Sequence, residues 1–130
     1  MNVDQEILLK AARQASSRAY CPYSNFPVGA AVLTADGRVF EGCNIENASY
    51  GLTVCAERVA VFQAVAAGAR EITAIAIVCP KGNSHKPGTL MPCGACRQVL
   101  AEFGGSGLMV LIDGIGQFPL TELLPQPFEL

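Results

Sequence analysis

Three cysteines and one glutamate carry the chemistry that this sequence can perform. Cys55 is followed two residues later by Glu57, and two intervening residues separate Cys93 from Cys96. Two thiolates at that spacing can bind one metal ion, and a third supplies another ligand of a tetrahedral zinc site. Structural zinc sites are usually closed by four protein ligands, whereas catalytic sites keep one position open for water. The pattern therefore predicts a hydrolytic zinc centre, with Glu57 placed to move protons at the open position.

The predicted helix starts favour the thiolate form of these cysteines. Cys55 and Cys93 each come at the beginning of a predicted helix, and Cys96 follows one turn later. A helix N-terminus has partial positive charge and free amide donors, both of which stabilise a thiolate. Three thiolates on one divalent ion leave a net charge of about −1, which weakens the ion as a Lewis acid. We therefore expect Arg58 and Arg97 to donate hydrogen bonds to the sulfurs, although each could instead be a solvated surface charge.

Strands alternate with helices in the hydrophobic pattern, which predicts an α/β fold around one sheet. An amphipathic helix comes first, and Asn2 or Asp4 can cap its start. The predicted strands are 28–34, 38–43, 72–78, 108–112 and 117–120; the later helical segments are 55–67, 94–103 and 121–124, with Gly104 and Gly105 closing the segment 94–103. The second helix has one apolar face, formed by Val59, Phe62, Val65 and Ala66. Residues 80–92 are predicted to form a surface loop.

Length, composition and charge restrict the possible ligands. The 130 residues suit a single domain, 1–130, with one core. The net charge is −2 and the nine Lys and Arg residues are scattered, which argues against nucleic acid as the ligand and favours a small uncharged substrate. Hydrophobic residues make up 51% of the chain, so some apolar surface is expected to form subunit contacts.

The cysteines are predicted to bind metal rather than to form disulfides. The N-terminus has no signal-peptide pattern, and no apolar run is long enough to span a membrane. A cytoplasmic location is therefore expected, where six cysteines indicate metal binding more than a disulfide framework. Cys21, Cys43 and Cys79 have no partner at ligand spacing, and His85 is expected to be a surface residue.

Several segments of the chain, taken in order, resemble the zinc-dependent cytidine deaminases, specifically their short homotetrameric type. The resemblance extends from about Tyr20 to the end of the chain. The segments that carry it are Tyr23–Ala31, Asn44–Tyr50, Cys55-Ala56-Glu57, Pro92-Cys93-Gly94-Ala95-Cys96-Arg97-Gln98, and Leu123–Pro125 with Phe128.

The resemblance implies a fold, a cofactor and a reaction. The fold would be a three-layer α/β/α sandwich around a mixed sheet of about five strands. One zinc ion per chain would be bound by Cys55, Cys93 and Cys96. The reaction would be hydrolytic deamination of cytidine and 2′-deoxycytidine to the corresponding uridines and ammonia, as in pyrimidine salvage. Glu57 would be the catalytic acid and base, which carries protons from water to N3 and to the leaving amino group.

The resemblance also implies how the substrate is bound. Phe26 would pack against the pyrimidine, Asn44 and Glu46 would bind the ribose hydroxyls, and the backbone of Ala56 would contact the base. Phe128 would reach the site of a neighbouring subunit in a homotetramer. Asn44 and Glu46 also alternate at a strand end, so their side chains point the same way. The alternatives are a core phenylalanine at Phe26 and turn-forming residues at Asn44 and Glu46.

Three other functions are compatible with parts of the pattern. A nucleoside-antibiotic deaminase of the same fold would share the metal motifs, although Phe26 and the Asn44–Glu46 segment favour ordinary nucleosides. A polynucleotide-editing deaminase fits poorly, because the chain lacks interleaved basic and aromatic residues. A non-enzymatic zinc module would need a fourth protein ligand, and neither His85 nor a further cysteine has a suitable spacing.

Overall fold

A five-stranded mixed sheet forms the middle layer of the structure, a computed structural model that describes residues 2–104 and 107–130. Its strands are β1 (Gly29–Thr34), β2 (Val39–Cys43), β3 (Ile72–Val78), β4 (Met109–Ile112) and β5 (Gly116–Pro119), in the spatial order β2-β1-β3-β4-β5. β1 pairs antiparallel with β2 and with β3, β3 pairs parallel with β4, and β4 pairs antiparallel with β5. The parallel pair lies towards the middle, where helices cover both faces of the sheet.

Helices form the two outer layers. They are α1 (Val3–Ser16), α2 (Ala56–Ala66), α3 (Gly94–Gly104) and the single turn α4 (Leu120–Leu123). α1 packs Leu8 and Ala12 against Ala31 and Val78 on one face of the sheet. α2 and α3 pack on the opposite face, against a core that includes Val32, Ile75 and Val110. The predicted three-layer α/β/α sandwich is confirmed.

The element boundaries follow the sequence signals closely. Asn2 caps α1: its side chain accepts a hydrogen bond from the backbone N–H of Gln5, whose side chain in turn accepts from the Asn2 backbone. The last strand begins at Gly116, one residue earlier than predicted, and Leu120 already belongs to α4. Gly104 is the last residue of α3, and the second glycine of the predicted stop, Gly105, lies outside the described residues. No helix in the described ranges is both long and apolar enough to cross a membrane.

The apolar face predicted for α2 is not the face that the structure buries. Phe62, the largest side chain of that face, is 49% exposed. The buried residues of α2 are instead Ala56, Glu57, Ala60, Val61 and Ala64. Alanines face the sheet because the helix lies too close to the strands for larger side chains, and bulk hydrophobicity alone does not reveal that distance.

Two glycines allow α1 and α2 to lie directly on the sheet backbone. A Cβ atom added to Gly29 would lie 1.8 Å from the carbonyl oxygen of Ala12 in α1. A Cβ atom added to Gly42 would lie 2.4 Å from the backbone nitrogen of Ala60 and 2.6 Å from the carbonyl oxygen of Ala56, both in α2. Gly42 belongs to the end of β2, so this contact fixes the start of α2 relative to the residues that follow β2.

We predict that Gly42→Ala destabilises the protein, because the new methyl group would meet backbone atoms that cannot rotate away. Overpacking usually costs about 1–3 kcal/mol, and we expect the upper end of that range here. The free energy of unfolding can be measured in urea. Gly51→Ala is the matched control, since a Cβ at Gly51 meets no atom within 4 Å. Equal stabilities of the two variants would contradict the close approach of α2 to β2.

Candidate active site

The starts of α2 and α3 bring three thiols together. Cys55 is the extended residue that immediately precedes α2, Cys93 immediately precedes α3, and Cys96 lies in the first turn of α3. The sulfur of Cys55 lies 3.8 Å from that of Cys93, and the sulfur of Cys93 lies 3.3 Å from that of Cys96. The three sulfurs all lie within 4.8 Å of one another. The sequence spacing therefore predicted a cluster that the fold does form.

The donor chemistry of this cluster and the separation of the Cys55 and Cys93 sulfurs fit a zinc ion. Two sulfurs bound to tetrahedral zinc at about 2.3 Å lie about 3.8 Å apart, which is the separation of Cys55 and Cys93. Within residues 2–104 and 107–130, no other histidine, cysteine or carboxylate joins the group. His85 and Cys43 thus do not complete a four-ligand structural site, and the donor set is that of a zinc centre with one position left for a non-protein ligand.

Arg58 lies next to the cluster, as predicted. Its Nη2 atom donates to the sulfur of Cys55 at 3.6 Å, and its Nε atom is buried without a hydrogen-bond partner. Hydrogen bonds from the Cys96 thiol and from Arg58 lower the pKa of Cys55 to about 5, against the opposing effect of burial. The pKa of Cys96 is raised, because its thiol donates to Cys55 and is itself buried. The donors around Cys55 therefore favour its thiolate, the form in which a cysteine binds a metal ion.

Arg97 does not donate to the sulfurs, contrary to the prediction. Its Nε atom donates to the carbonyl oxygen of Pro92 at 2.8 Å, and its Nη1 atom donates to the carbonyl oxygen of Leu123 at 2.6 Å. Successive residues of a helix point about 100° apart, so Cys96 faces the cluster while Arg97 faces α4. Arg97 therefore links the backbone just before Cys93 to the end of α4. This link holds the segment that leads into Cys93 in place.

Glu57 occupies the first turn of α2, beside the thiols. It is only 5% exposed, and burial raises the pKa of its carboxyl group to about 7. A carboxyl group with a pKa near neutrality can both accept and release a proton at physiological pH. The position of Glu57 thus combines a short distance in sequence from Cys55 with an environment suited to proton transfer.

An open cavity of about 470 Å³ joins Glu57 to the predicted substrate residues. Phe26, Asn44, Glu46 and Ala56 line it together with Cys55, Glu57 and Cys93. The sequence did not indicate further wall residues, among them Ser24, Thr53, Cys79, Leu90 and Met91. These residues come from strand ends and loops, where no local spacing indicates a shared cavity.

The side chain of Asn44 is engaged with the backbone of the loop that carries Phe26. Its Oδ1 atom accepts from the N–H of Val28 at 2.8 Å, and its Nδ2 atom donates to the carbonyl oxygen of Phe26 at 2.9 Å. The carbonyl oxygen and the NH2 group of this side chain each keep further hydrogen-bonding capacity after these contacts. Asn44 therefore holds the cavity wall and still presents polar atoms to the cavity.

Phe128 lies outside this cavity within its own chain. Phe128 is 72% exposed, and its backbone N–H and C=O groups both form hydrogen bonds with the side-chain amide of Gln98 on α3. This arrangement fixes the position of the C-terminal segment while leaving the aromatic ring free for a contact beyond the chain.

The fold and the site together define a metal-binding α/β protein with its centre at two helix starts. The family model of the cytidine and deoxycytidylate deaminase zinc-binding region matches residues 1–112. A cytidine deaminase of Halalkalibacterium halodurans is 48% identical over 130 residues, which cover 97% of this chain and 95% of that protein. The chain belongs to the cytidine and deoxycytidylate deaminase family.

Solved structures agree with this assignment. The crystal structure of cytidine deaminase from Mycobacterium tuberculosis has a TM-score of 0.85 and 46% identity, covering 99% of this chain and 100% of that one. The cytidine deaminase structure from Burkholderia pseudomallei has a TM-score of 0.85 and 47% identity, covering 98% and 100%. The sandwich topology, the three-cysteine cluster and the family assignment are thus mutually consistent.

We predict that replacing any one of Cys55, Cys93 or Cys96 by alanine abolishes tight zinc binding, because two thiolates leave the tetrahedral ion with too few protein ligands. Zinc per chain can be measured by mass spectrometry after dialysis against a weak chelator. Cys43→Ala is the matched control and should retain about one zinc per chain, since its sulfur bonds only the Arg18 carbonyl oxygen. Retention of zinc by all three cluster variants would contradict the assigned ligands.

Proposed function

We propose that this protein is a cytidine deaminase that hydrolyses cytidine and 2′-deoxycytidine to the uridines and ammonia. The observation that carries the proposal is a three-thiol cluster that shares one cavity with a buried carboxyl group, in a chain of the deaminase family. The similar proteins of Halalkalibacterium halodurans and Mycobacterium tuberculosis are both named cytidine deaminase. The reaction belongs to pyrimidine salvage, and the cytoplasm stays the predicted location.

In this proposal Cys55, Cys93 and Cys96 hold the zinc ion and Glu57 carries the protons. Bound zinc supplies a Lewis acid that brings the pKa of a water molecule towards neutrality. Glu57 accepts a proton from the water that attacks C4 and passes it to N3 of the base. It then takes the proton of the new C4 hydroxyl group to the departing amino group, so that one water is consumed and one ammonia is released. The pKa of about 7 that burial gives Glu57 suits both directions of transfer.

The substrate would lie with its base between Phe26 and the start of α2. Phe26 and the backbone of Ala56 would contact the pyrimidine, and Asn44 and Glu46 would bind the sugar hydroxyls. All four residues line the cavity that contains Glu57, which supports these assignments. Arg58 would balance the thiolate charge through its contact with Cys55.

The charges around the cavity favour a nucleoside over a nucleotide. The described lining contains the carboxyl groups of Glu46 and Glu57 and no lysine or arginine. An adjoining hollow, lined by Tyr23, Tyr50 and neighbouring polar residues, also lacks a described cation. A phosphate group would meet negative charge without a partner, so deoxycytidylate, the nucleotide in the family's name, is the less favoured substrate.

We predict that the wild-type protein with one zinc per chain deaminates cytidine, and that Glu57→Gln lowers kcat by about 10²–10⁴-fold. The amide keeps the shape of the side chain but cannot carry a proton, so zinc content and unfolding temperature should stay unchanged. Turnover can be followed by the change in ultraviolet absorbance as cytidine becomes uridine.

Cytidine 5′-monophosphate serves as the substrate control and should be turned over far more slowly than cytidine. Zinc binding without turnover of cytidine or 2′-deoxycytidine would overturn the proposed reaction and favour a specialised deaminase or a binding module. Full activity of Glu57→Gln would leave the reaction in place but remove the assigned role of Glu57.

We also propose that the protein acts as a homotetramer whose sites lie at subunit interfaces. Three tyrosine side chains, Tyr20, Tyr23 and Tyr50, are exposed, and the last two line the hollow that adjoins the cavity. Exposed apolar patches of this kind are typical of subunit contacts. Phe128 would then complete the cavity of a neighbouring chain, which fits its exposure and its distance from the cavity of its own chain.

This assignment predicts complementation between two inactive variants. Glu57→Gln keeps Phe128 but lacks the proton carrier, whereas Phe128→Ala keeps Glu57 but lacks the aromatic ring. Mixed oligomers, formed by mild denaturation and refolding together, should contain some sites with both groups and regain activity. Each variant refolded alone is the control. Sedimentation velocity of the wild type should show a tetramer. Absence of any regained activity in verified mixed oligomers would place Phe128 in its own chain's site or in none.

A further inference from the structure

The carboxylate of Glu46 is held by a two-residue segment of the neighbouring loop. Its Oε1 atom accepts from the backbone N–H groups of Tyr23 at 2.9 Å and Ser24 at 3.1 Å. Its Oε2 atom accepts from the hydroxyl group of Ser24. Three donors on one carboxylate fix both its position and the rotation of its plane, so a flexible glutamate side chain becomes part of a rigid wall.

These contacts leave a definite amount of hydrogen-bonding capacity. An ionised carboxylate has about four acceptor positions, and three of them are used by the loop. The remaining position is on Oε2, the oxygen that the Ser24 hydroxyl group orients. The hydroxyl of Ser24 also lowers the pKa of Glu46, so that the carboxyl group stays an ionised acceptor. Glu46 lines the cavity, where one remaining acceptor can receive one hydroxyl donor.

Ser24 has a second contact, which connects Glu46 to Phe26. While its hydroxyl donates to Glu46, the same oxygen accepts from the backbone N–H of Phe26 at 3.1 Å. The turn between them is tight, because Asn25 adopts a left-handed conformation with φ of 54°. One hydroxyl group thus lies between the residue proposed for the sugar and the residue proposed for the base.

We propose that Ser24 is a positioning residue that aims the free acceptor of Glu46 at the 3′-hydroxyl group of the nucleoside. This inference rests on the proposed function. The 3′-hydroxyl is the ring hydroxyl that cytidine and 2′-deoxycytidine share. Because this contact is remote from C4, it stabilises the bound substrate and the transition state alike, and its loss should raise KM rather than lower kcat.

A purely structural role for Ser24 makes a different prediction. If the hydroxyl only held the loop in shape, its removal would displace Phe26 and weaken binding of the base, whatever sugar was attached. A role through Glu46 should instead disappear when the substrate has no 3′-hydroxyl group to be accepted. A substrate without that group therefore separates the two roles.

The experiment compares Ser24→Ala with the wild-type zinc protein on 2′-deoxycytidine and on 2′,3′-dideoxycytidine. With 2′-deoxycytidine, KM should rise about tenfold at nearly constant kcat, as expected for a weakened hydrogen bond to a charged group. With 2′,3′-dideoxycytidine, the two proteins should differ by less than about twofold. Ser24→Thr, which keeps the hydroxyl, should recover most of the loss. Ser17→Ala is the control, because the Ser17 hydroxyl bonds only the Gln14 carbonyl oxygen at the end of α1.

Double substitution gives an independent readout. In a Glu46→Gln background, the amide side chain cannot use the Ser24 hydroxyl in the same way, so adding Ser24→Ala should change KM by less than about twofold. If Ser24→Ala fails to fold, Ser24→Cys replaces it, with a smaller rise in KM expected for 2′-deoxycytidine and none for the dideoxynucleoside.

The outcomes separate this inference from the proposed function. A wild-type protein without turnover overturns the proposed function itself. If the wild-type protein does turn over its substrate, three results for the Ser24 variant would each overturn the role of Ser24. These are equal losses of activity on both substrates, a loss confined to kcat, and no loss.

Discussion

The close contact between α2 and the end of β2 is the constraint on which the site depends. Gly42 and the alanines of α2 allow the helix to lie against the strand at backbone distance. The start of α2 carries Cys55 and Glu57, and the chain that leaves β2 carries Asn44 and Glu46. One backbone contact therefore sets the distance between the metal cluster and the proposed sugar-binding residues. Larger side chains at this contact would move the two halves of the cavity apart, even with every functional residue intact.

The opposite wall of the cavity, residues 23–28, has no regular secondary structure. Hydrogen bonds with polar side chains hold its backbone in place instead. Asn44 binds the backbone on both sides of Pro27, while Glu46 binds the backbone of Tyr23 and Ser24. Buried or half-buried polar groups need such partners, and here the partners are main-chain groups that would otherwise be unpaired. The same side chains thus stabilise the conformation of the loop and supply polar atoms to the cavity. Rigid positioning of this kind lowers the entropy lost when a substrate binds.

Much of this arrangement could be predicted from the sequence, because it depends on local signals. Neighbouring residues are enough to identify three of its features: the β-branched run of β3, the hairpin between β1 and β2, and the capping residue of α1. The Cys-x-x-Cys spacing on one helix start likewise predicts two metal ligands without knowledge of the fold. The face that α2 buries could not be predicted, since it depends on the distance to Gly42, which lies elsewhere in the sequence. The partners of Arg97 depend on a contact with the end of α4, and the proposed role of Ser24 depends on a contact with Glu46. Each contact joins separate segments of the chain, so neither could be predicted from local signals.

The two acids that lie closest to the reaction centre, Cys55 and Glu57, are shifted in opposite directions by their surroundings. Donors from Cys96 and Arg58 lower the pKa of Cys55 to about 5, whereas burial raises the pKa of Glu57 to about 7. Only Ala56 lies between them in the chain, yet the Cys55 sulfur accepts from donors whereas the Glu57 side chain is buried at the cavity wall. The first is thereby kept as an anionic ligand, and the second is kept as a group that can gain or lose a proton near neutral pH. Because a single helix start produces both environments, the division between metal ligand and proton carrier follows from the direction in which each side chain leaves the backbone.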